Sequence, residues 1–192
     1  MANVNAPFGF RPLSRIGGTP FSLTRYGKPA SDGQAIFRGD ILAKAAAGVL
    51  DPEPSSTVYA PGCISCYSGS APAVGTGPWL GVAADYGAAS TLSMHHVYDE
   101  PDTIFLAQGK TGTTFSTASH VGKNANISLT TAGSTATKQS GMAVDGAGIA
   151  TTSSLDLRLR SISMIVPNAE GDSAIFEVTI NNHLFGNKTA GV

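Results

Sequence analysis

The densest group of ionisable side chains in the sequence is His95-His96-Val97-Tyr98-Asp99-Glu100-Pro101-Asp102. Converging histidines and carboxylates are what metal binding and acid–base chemistry need. Adjacent residues of a strand point to opposite faces, however, which places His95 and His96 poorly for sharing one metal. Asp99, Glu100 and Asp102 could approach a hard cation, but they lack the glycine and the ligand spacing of a calcium loop. The plainer reading is a charged turn that feeds an apolar strand around Ile104 and Leu106.

Cys63-x-x-Cys66 is half of a zinc site or a redox motif, but there is no second cysteine pair and no βαβ context around it. Two separate buried thiols fit a strand better. Arg38-Gly39-Asp40 matches the integrin-binding tripeptide and is read as turn chemistry at the start of a strand. Asn126-Ile-Ser and Asn187-Lys-Thr match the glycosylation pattern, which has meaning only on a eukaryotic secretory route. The sequence has no Gly-x-Ser-x-Gly elbow, no phosphate loop and no His-Glu-x-x-His helix. Catalysis is not indicated, so no catalytic residue, metal or cofactor is expected.

The elements that would carry these groups are β-strands. Charged residues form 13% of the 192-residue chain, against ~25% in an average soluble protein, so its polar surface must be Ser, Thr, Asn and Gly. Such a surface desolvates cheaply and suits lasting burial against partners. The formal net charge of −1 argues against a general nucleic-acid binder. No stretch reaches the ~18 apolar residues of a membrane span, and the opening residues lack a signal-peptide layout. The chain is expected to be made in the cytoplasm, without nucleic acid or membrane as partner.

Residues 1–34 read as an extended arm, because Pro7, Pro12, Pro20 and Pro29 with Gly9, Gly17, Gly18 and Gly27 forbid a continuous helix. Before Asp32 the chain has four basic residues (Arg11, Arg15, Arg25, Lys28) and no acidic one, leaving eight basic against 13 acidic residues afterwards. Phe8, Phe10, Leu13, Ile16, Phe21, Leu23 and Tyr26 are too many large apolar groups for a disordered tail. They need a surface, either on the arm's own domain or on a neighbouring subunit. The second option makes the arm a docking element, with Phe8, Phe10, Arg11, Leu13, Arg15, Phe21, Arg25 and Tyr26 as its partner-binding residues. Deleting residues 2–26 would then leave a folded domain that binds poorly.

Residues 35–186 read as one all-β domain, a small barrel or sandwich of many short strands, with 187–192 as a tail. Strand candidates are 35–43, 63–67, 79–86, 97–108, a short stretch about Ile127 and Leu129, 155–160 and 174–180. Leu155, Leu157 and Leu159 alternate with Asp156, Arg158 and Arg160, and the apolar parity then switches at Ile162, Met164 and Val166. That switch predicts a bulge near Ser161. Leu155, Leu157, Leu159, Phe176, Val178 and Ile180 are the expected core. Residues 45–47 could form one helical turn, and 128–148 read as a loop of Thr, Ser, Ala and Gly.

The opening Met1-Ala-Asn-Val-Asn-Ala-Pro-Phe-Gly-Phe-Arg-Pro12, the Ile36-Phe-Arg-Gly-Asp-Ile41 strand, Gly81-Val-Ala83, the run His96 to Phe105 and Asn181-Asn-His183 resemble the cement, or decoration, proteins of tailed-bacteriophage heads. The resemblance touches most of the chain through short motifs. It implies a β-domain on the outside of the head, contacting the major capsid protein and further copies of itself, and clamping the expanded shell. The alternative is a tail or fibre β-sandwich that binds carbohydrate or a host surface, with Trp79, Tyr59, Tyr67, Tyr86 and Tyr98 as stacking platforms. A cell-wall hydrolase would need a carboxylate pair or zinc site that the sequence does not assemble.

Overall fold

A computed structural model describes residues 3–28, 35–44, 64–66, 78–129, 131–165, 167–186 and 191. In chain order its strands are β1 (Arg11–Arg15), β2 (Thr24–Lys28), β3 (Ile41–Lys44), β4 (Ile64–Cys66), β5 (Trp79–Ala83), β6 (Ser93–Tyr98), β7 (Thr103–Gln108), β8 (Asn124–Ser128), β9 (Ala143–Ala150), β10 (Leu157–Ile162) and β11 (Ile175–Ile180). They form a six-stranded sheet, β1-β7-β11-β10-β8-β9, and a five-stranded sheet, β2-β6-β5-β3-β4. Every ladder is antiparallel. The chain is therefore all-β and sandwich-like, with no closed barrel among the described strands. Its one described helix is the single turn α1 (Thr117–His120), which is too short to cross a membrane.

Two patterns of burial explain the two kinds of strand. In β10, Leu157 and Leu159 are fully buried while Arg160 is exposed, so one face meets the core and the other meets water. The expected bulge is present as a register shift between Leu159 and Ser161 against β11. All six of the expected core residues are buried. In β5 every residue is buried, because Trp79 and Val82 join the main core while Leu80 and Ala83 join a second apolar cluster with Tyr26, Ile36, Leu42 and Val97. Consecutive strand residues face opposite ways, so a strand with apolar groups on both faces reads as an unbroken run rather than an alternation.

Three expectations are corrected. The segment 3–28 is part of the sandwich: β1 pairs with β7 at the edge of one sheet, and β2 pairs with β6 at the edge of the other. The candidate strand 97–108 is two strands in different sheets, β6 and β7, joined across the Asp99–Asp102 turn. Pro101 supplies the break, since it has no N–H for a central ladder. The supposed loop 128–148 ends in β9, an edge strand paired with β8. The helical turn expected at 45–47, together with Cys63, Tyr59, Tyr67, Val166, residues 29–34 of the expected arm and most of the tail, lies outside the described residues.

The sheets are tied together at Trp79. Its indole N–H donates to Asp156 Oδ1 at 2.7 Å, and its backbone N–H donates to the Asn182 carbonyl at 2.8 Å. Asn181 Nδ2 donates to the Ser153 and Leu155 carbonyls, both at 2.9 Å, so Asn181-Asn-His183 fastens the end of β11 to the approach of β10 and to β5.

His183 is 3% exposed, and its Nδ1 accepts the Phe185 N–H at 3.1 Å. Burial lowers its pKa to about 4, against an opposing pull from Asp99. As pH falls below the ordinary histidine value the unfolded chain takes up a proton that the folded chain refuses, so stability drops with acid. Between pH ~6.5 and ~4 this is expected to cost roughly 3 kcal/mol. Urea denaturation across that range should show the slope, and His183→Gln should flatten it; an equal slope in the variant would remove His183 as the cause.

Candidate partner-binding cleft

The first stretch of the chain reaches the sandwich through two glycines. Gly9 and Gly39 have φ of +72° and +91°, values at which a side chain is strained. A Cβ on Gly9 would stand 2.7 Å from the Gly39 carbonyl oxygen, and one on Gly39 would stand 3.0 Å from the Phe10 nitrogen. Without side chains, the two backbones approach closely enough for Phe10 N–H to donate to the Gly39 carbonyl at 2.9 Å. The Gly9-Phe-Arg-Pro12 and Ile36 to Ile41 segments, distant in sequence, are thus packed on each other. Asp40 is buried, and its Oδ2 accepts the Phe37 N–H at 2.7 Å, which makes Arg38-Gly39-Asp40 a turn with its carboxylate facing inward.

Between these segments lies a cleft of about 400 Å³, lined by Phe8, Arg11, Arg38, Ala84, Tyr98 and Gln139 among others. Its floor is Phe10, which is 1% exposed and belongs to the main core. The Arg11 guanidinium lies 4.4 Å above the centre of the Phe8 ring. Arg11 and Arg38 are exposed, and among the described residues neither forms an ion pair.

Of the eight expected partner-binding residues, Phe8, Phe10 and Arg11 are brought together here. Two others, and Phe10 itself, are engaged within the chain, which narrows that expectation. Arg15 is held between Glu100 at 2.9 Å and Asp102 at 3.2 Å. Tyr26 is buried and donates its hydroxyl to Asp99 Oδ2 at 2.6 Å; burial, then that bond and the nearby charge, push its pKa up. Phe10 serves the core. Leu13, Phe21 and Arg25 remain at the surface, with Phe21 edge-on to Tyr98 at 5.6 Å. The Asp99-Glu100-Pro101-Asp102 turn, weighed as a cation site, is therefore the receptor for the chain's own basic segment. Arg38, Gly39 and Gln139 were missed as cleft residues; the Arg-Gly pair in a turn was their only signal.

Asp85 gathers the two adjacent histidines. His95 Nδ1 lies 2.7 Å from Asp85 Oδ1, and His96 Nδ1 lies 3.0 Å from Oδ2. His95 is buried and His96 exposed, so they do face opposite ways, and one carboxylate spans the strand edge between them. Burial works to raise the Asp85 pKa, but hydrogen bonds from both histidines bring it below the ordinary carboxylate value. His95 Nε2 in turn lies 2.7 Å from Ser93 Oγ. This is the Ser–His–Asp order that activates a hydroxyl for acyl transfer. Ser93 Oγ can also donate to the Thr91 carbonyl at 3.4 Å, a contact within its own turn that competes with donation to His95. A Cβ on Gly87 would clash with the His95 ring at 2.2 Å, so the loop packs directly on the imidazole. We assign this constellation to fixing the loop after β5 onto β6.

Other candidate chemistry is also absorbed by packing. Trp79 is 4% exposed, which removes it as a sugar-stacking platform. Asn126 is buried in β8, unlike an accessible glycosylation acceptor. Among the described residues no group of three or more His, Cys, Asp or Glu is placed to hold a metal. No protein-family model, curated protein or solved structure matches this chain.

Proposed function

We propose that this chain is a structural virion protein of the cement type, which binds the outside of a tailed-phage head and stabilises the expanded shell by bridging neighbouring capsid subunits. Its partners in this reading are the major capsid protein and further copies of itself. The motif resemblance and the sparsely charged surface support it. The observation that carries it is the state of the segment between the sheets. Leu13, Ile16, Phe21 and Leu23 remain 40%, 47%, 41% and 45% exposed, although their backbone is anchored at both ends by β1 and β2. A pre-ordered segment that displays large apolar side chains loses little entropy on docking. Bridging two subunits then multiplies modest contacts through effective concentration.

Completing the burial of these side chains would contribute ~1 kcal/mol each. The triple variant Leu13→Ser, Phe21→Ser, Leu23→Ser is therefore expected to attach to heads roughly 100-fold more weakly; since the same side chains are more than half covered within the chain, its urea midpoint should fall while it stays folded without urea. Co-sedimentation with heads that lack the protein measures this. Undiminished attachment by a folded variant would contradict the reading.

A further inference from the structure

The cleft beside Gly39 has a chemistry more specific than apolar stickiness. Two guanidinium groups line it, one from β1 and one from the turn before β3. Arg15, four residues further along β1, shows what an arginine of this segment does when a carboxylate is within reach, as it holds Glu100 and Asp102 together. Arg11 and Arg38 have no such partner among the described residues. Arg11 instead lies over the Phe8 ring, an arrangement that leaves the edge of the planar guanidinium, with its forked N–H donors, open to an acceptor. Phe8, Tyr98 and Ala84 line the same cleft, and its volume of about 400 Å³ accommodates one or two side chains.

We propose that this cleft is a docking subsite for an acidic segment of a partner protein, taking one Asp or Glu carboxylate between Arg11 and Arg38 with an adjacent apolar side chain against Phe8 and Tyr98. Paired arginines recognise a carboxylate through charge-assisted, bidentate hydrogen bonds. A protein segment fits better than a nucleic acid. Tyr98 leads directly into Asp99, Glu100 and Asp102, and the chain as a whole carries a formal charge of −1, so a run of phosphates would meet repulsion where a single carboxylate does not. That the segment belongs to a neighbouring capsid subunit rests on the function proposed above; the chemistry of the cleft does not.

The test is an NMR titration of the intact, isotopically labelled chain with acetyl-Ala-Glu-Phe-Ala-amide, its Gln-for-Glu twin and a short oligothymidine. The Glu peptide is expected to shift the amide resonances of Arg11, Gly39, Ala84 and Gln139, and to bind roughly fivefold or more tightly than the Gln twin at low salt. R11Q/R38Q, which alters two exposed side chains, should keep the fold and lose the discrimination. Equal binding of the two peptides, shifts confined to other regions, or tighter binding of oligothymidine would overturn the proposal. A chain that discriminates the peptides but fails to attach to heads would keep the subsite and sink the cement reading. One that attaches to heads and discriminates neither peptide would do the reverse.

Discussion

Removal of residues 2–26 is expected to abolish cooperative folding. β1 covers the edge of β7, and most of β2, which covers the edge of β6, is lost with it. Phe10 leaves the centre of the main core and Tyr26 leaves the second cluster. The preceding residues are tied as well: Gln108 Nε2 donates to the Val4 carbonyl at 2.7 Å, and Asn3 Nδ2 donates to the Ala169 and Asp172 carbonyls at 2.8 and 2.9 Å. Losing one buried Phe side chain alone costs ~3–5 kcal/mol, against a whole-domain margin of ~5–15 kcal/mol. Two opened sheet edges add unpaired backbone groups and a route to aggregation. Circular dichroism and urea denaturation followed by the single Trp79 would report the outcome. A truncated chain with a sharp transition near that of the intact one would mean that the segment is an appendage after all.

Leu157→Ala is expected to destabilise the fold by ~2–5 kcal/mol, the range for a fully buried leucine. Leu157 has no exposed surface, and its strand lies inside the six-stranded sheet, pairing with Ile180 of β11 on one side and Ala125 of β8 on the other. With neighbours on both sides the backbone has little freedom to collapse into the cavity, which favours the upper part of that range. Leu13→Ala, on a half-exposed side chain, should cost well under that. A shift below ~1 kcal/mol for Leu157→Ala in urea would show that the main core is assigned to the wrong residues.

The parts of the fold legible in the sequence are those where burial on one face imposes alternation. β10, its bulge and β11 could be read because Leu, Arg, Phe and Val sort cleanly by parity. β1 could not, because Pro12 and the glycines around it punctuate the segment like a linker, yet an edge strand tolerates a proline whose missing N–H faces no partner. β9 was hidden by its composition: in Ala143–Ala150 only Val144 and Ile149 are large apolar residues, and small residues leave no periodic signal. The cleft was half legible. Phe8, Phe10 and Arg11 stood out as a motif, but Arg38 and Gln139 join them only through the close backbone approach at Gly9 and Gly39. The pairing of Arg15 with Glu100 and Asp102 was invisible for a similar reason. Residue types announced a basic segment and an acidic turn, and only the sandwich topology brings one onto the other.

We propose attachment to an assembled shell as the way this β-sandwich acts. Its most direct test is co-sedimentation of the purified, intact chain with expanded phage heads stripped of cement protein, beside unexpanded heads of the same phage. Saturable attachment to expanded heads is expected at a fixed ratio to the major capsid protein, with weaker attachment to unexpanded heads and a higher temperature of DNA release from the decorated particles. No attachment to expanded heads under conditions where the chain is folded, together with binding to a host glycan array, would contradict it.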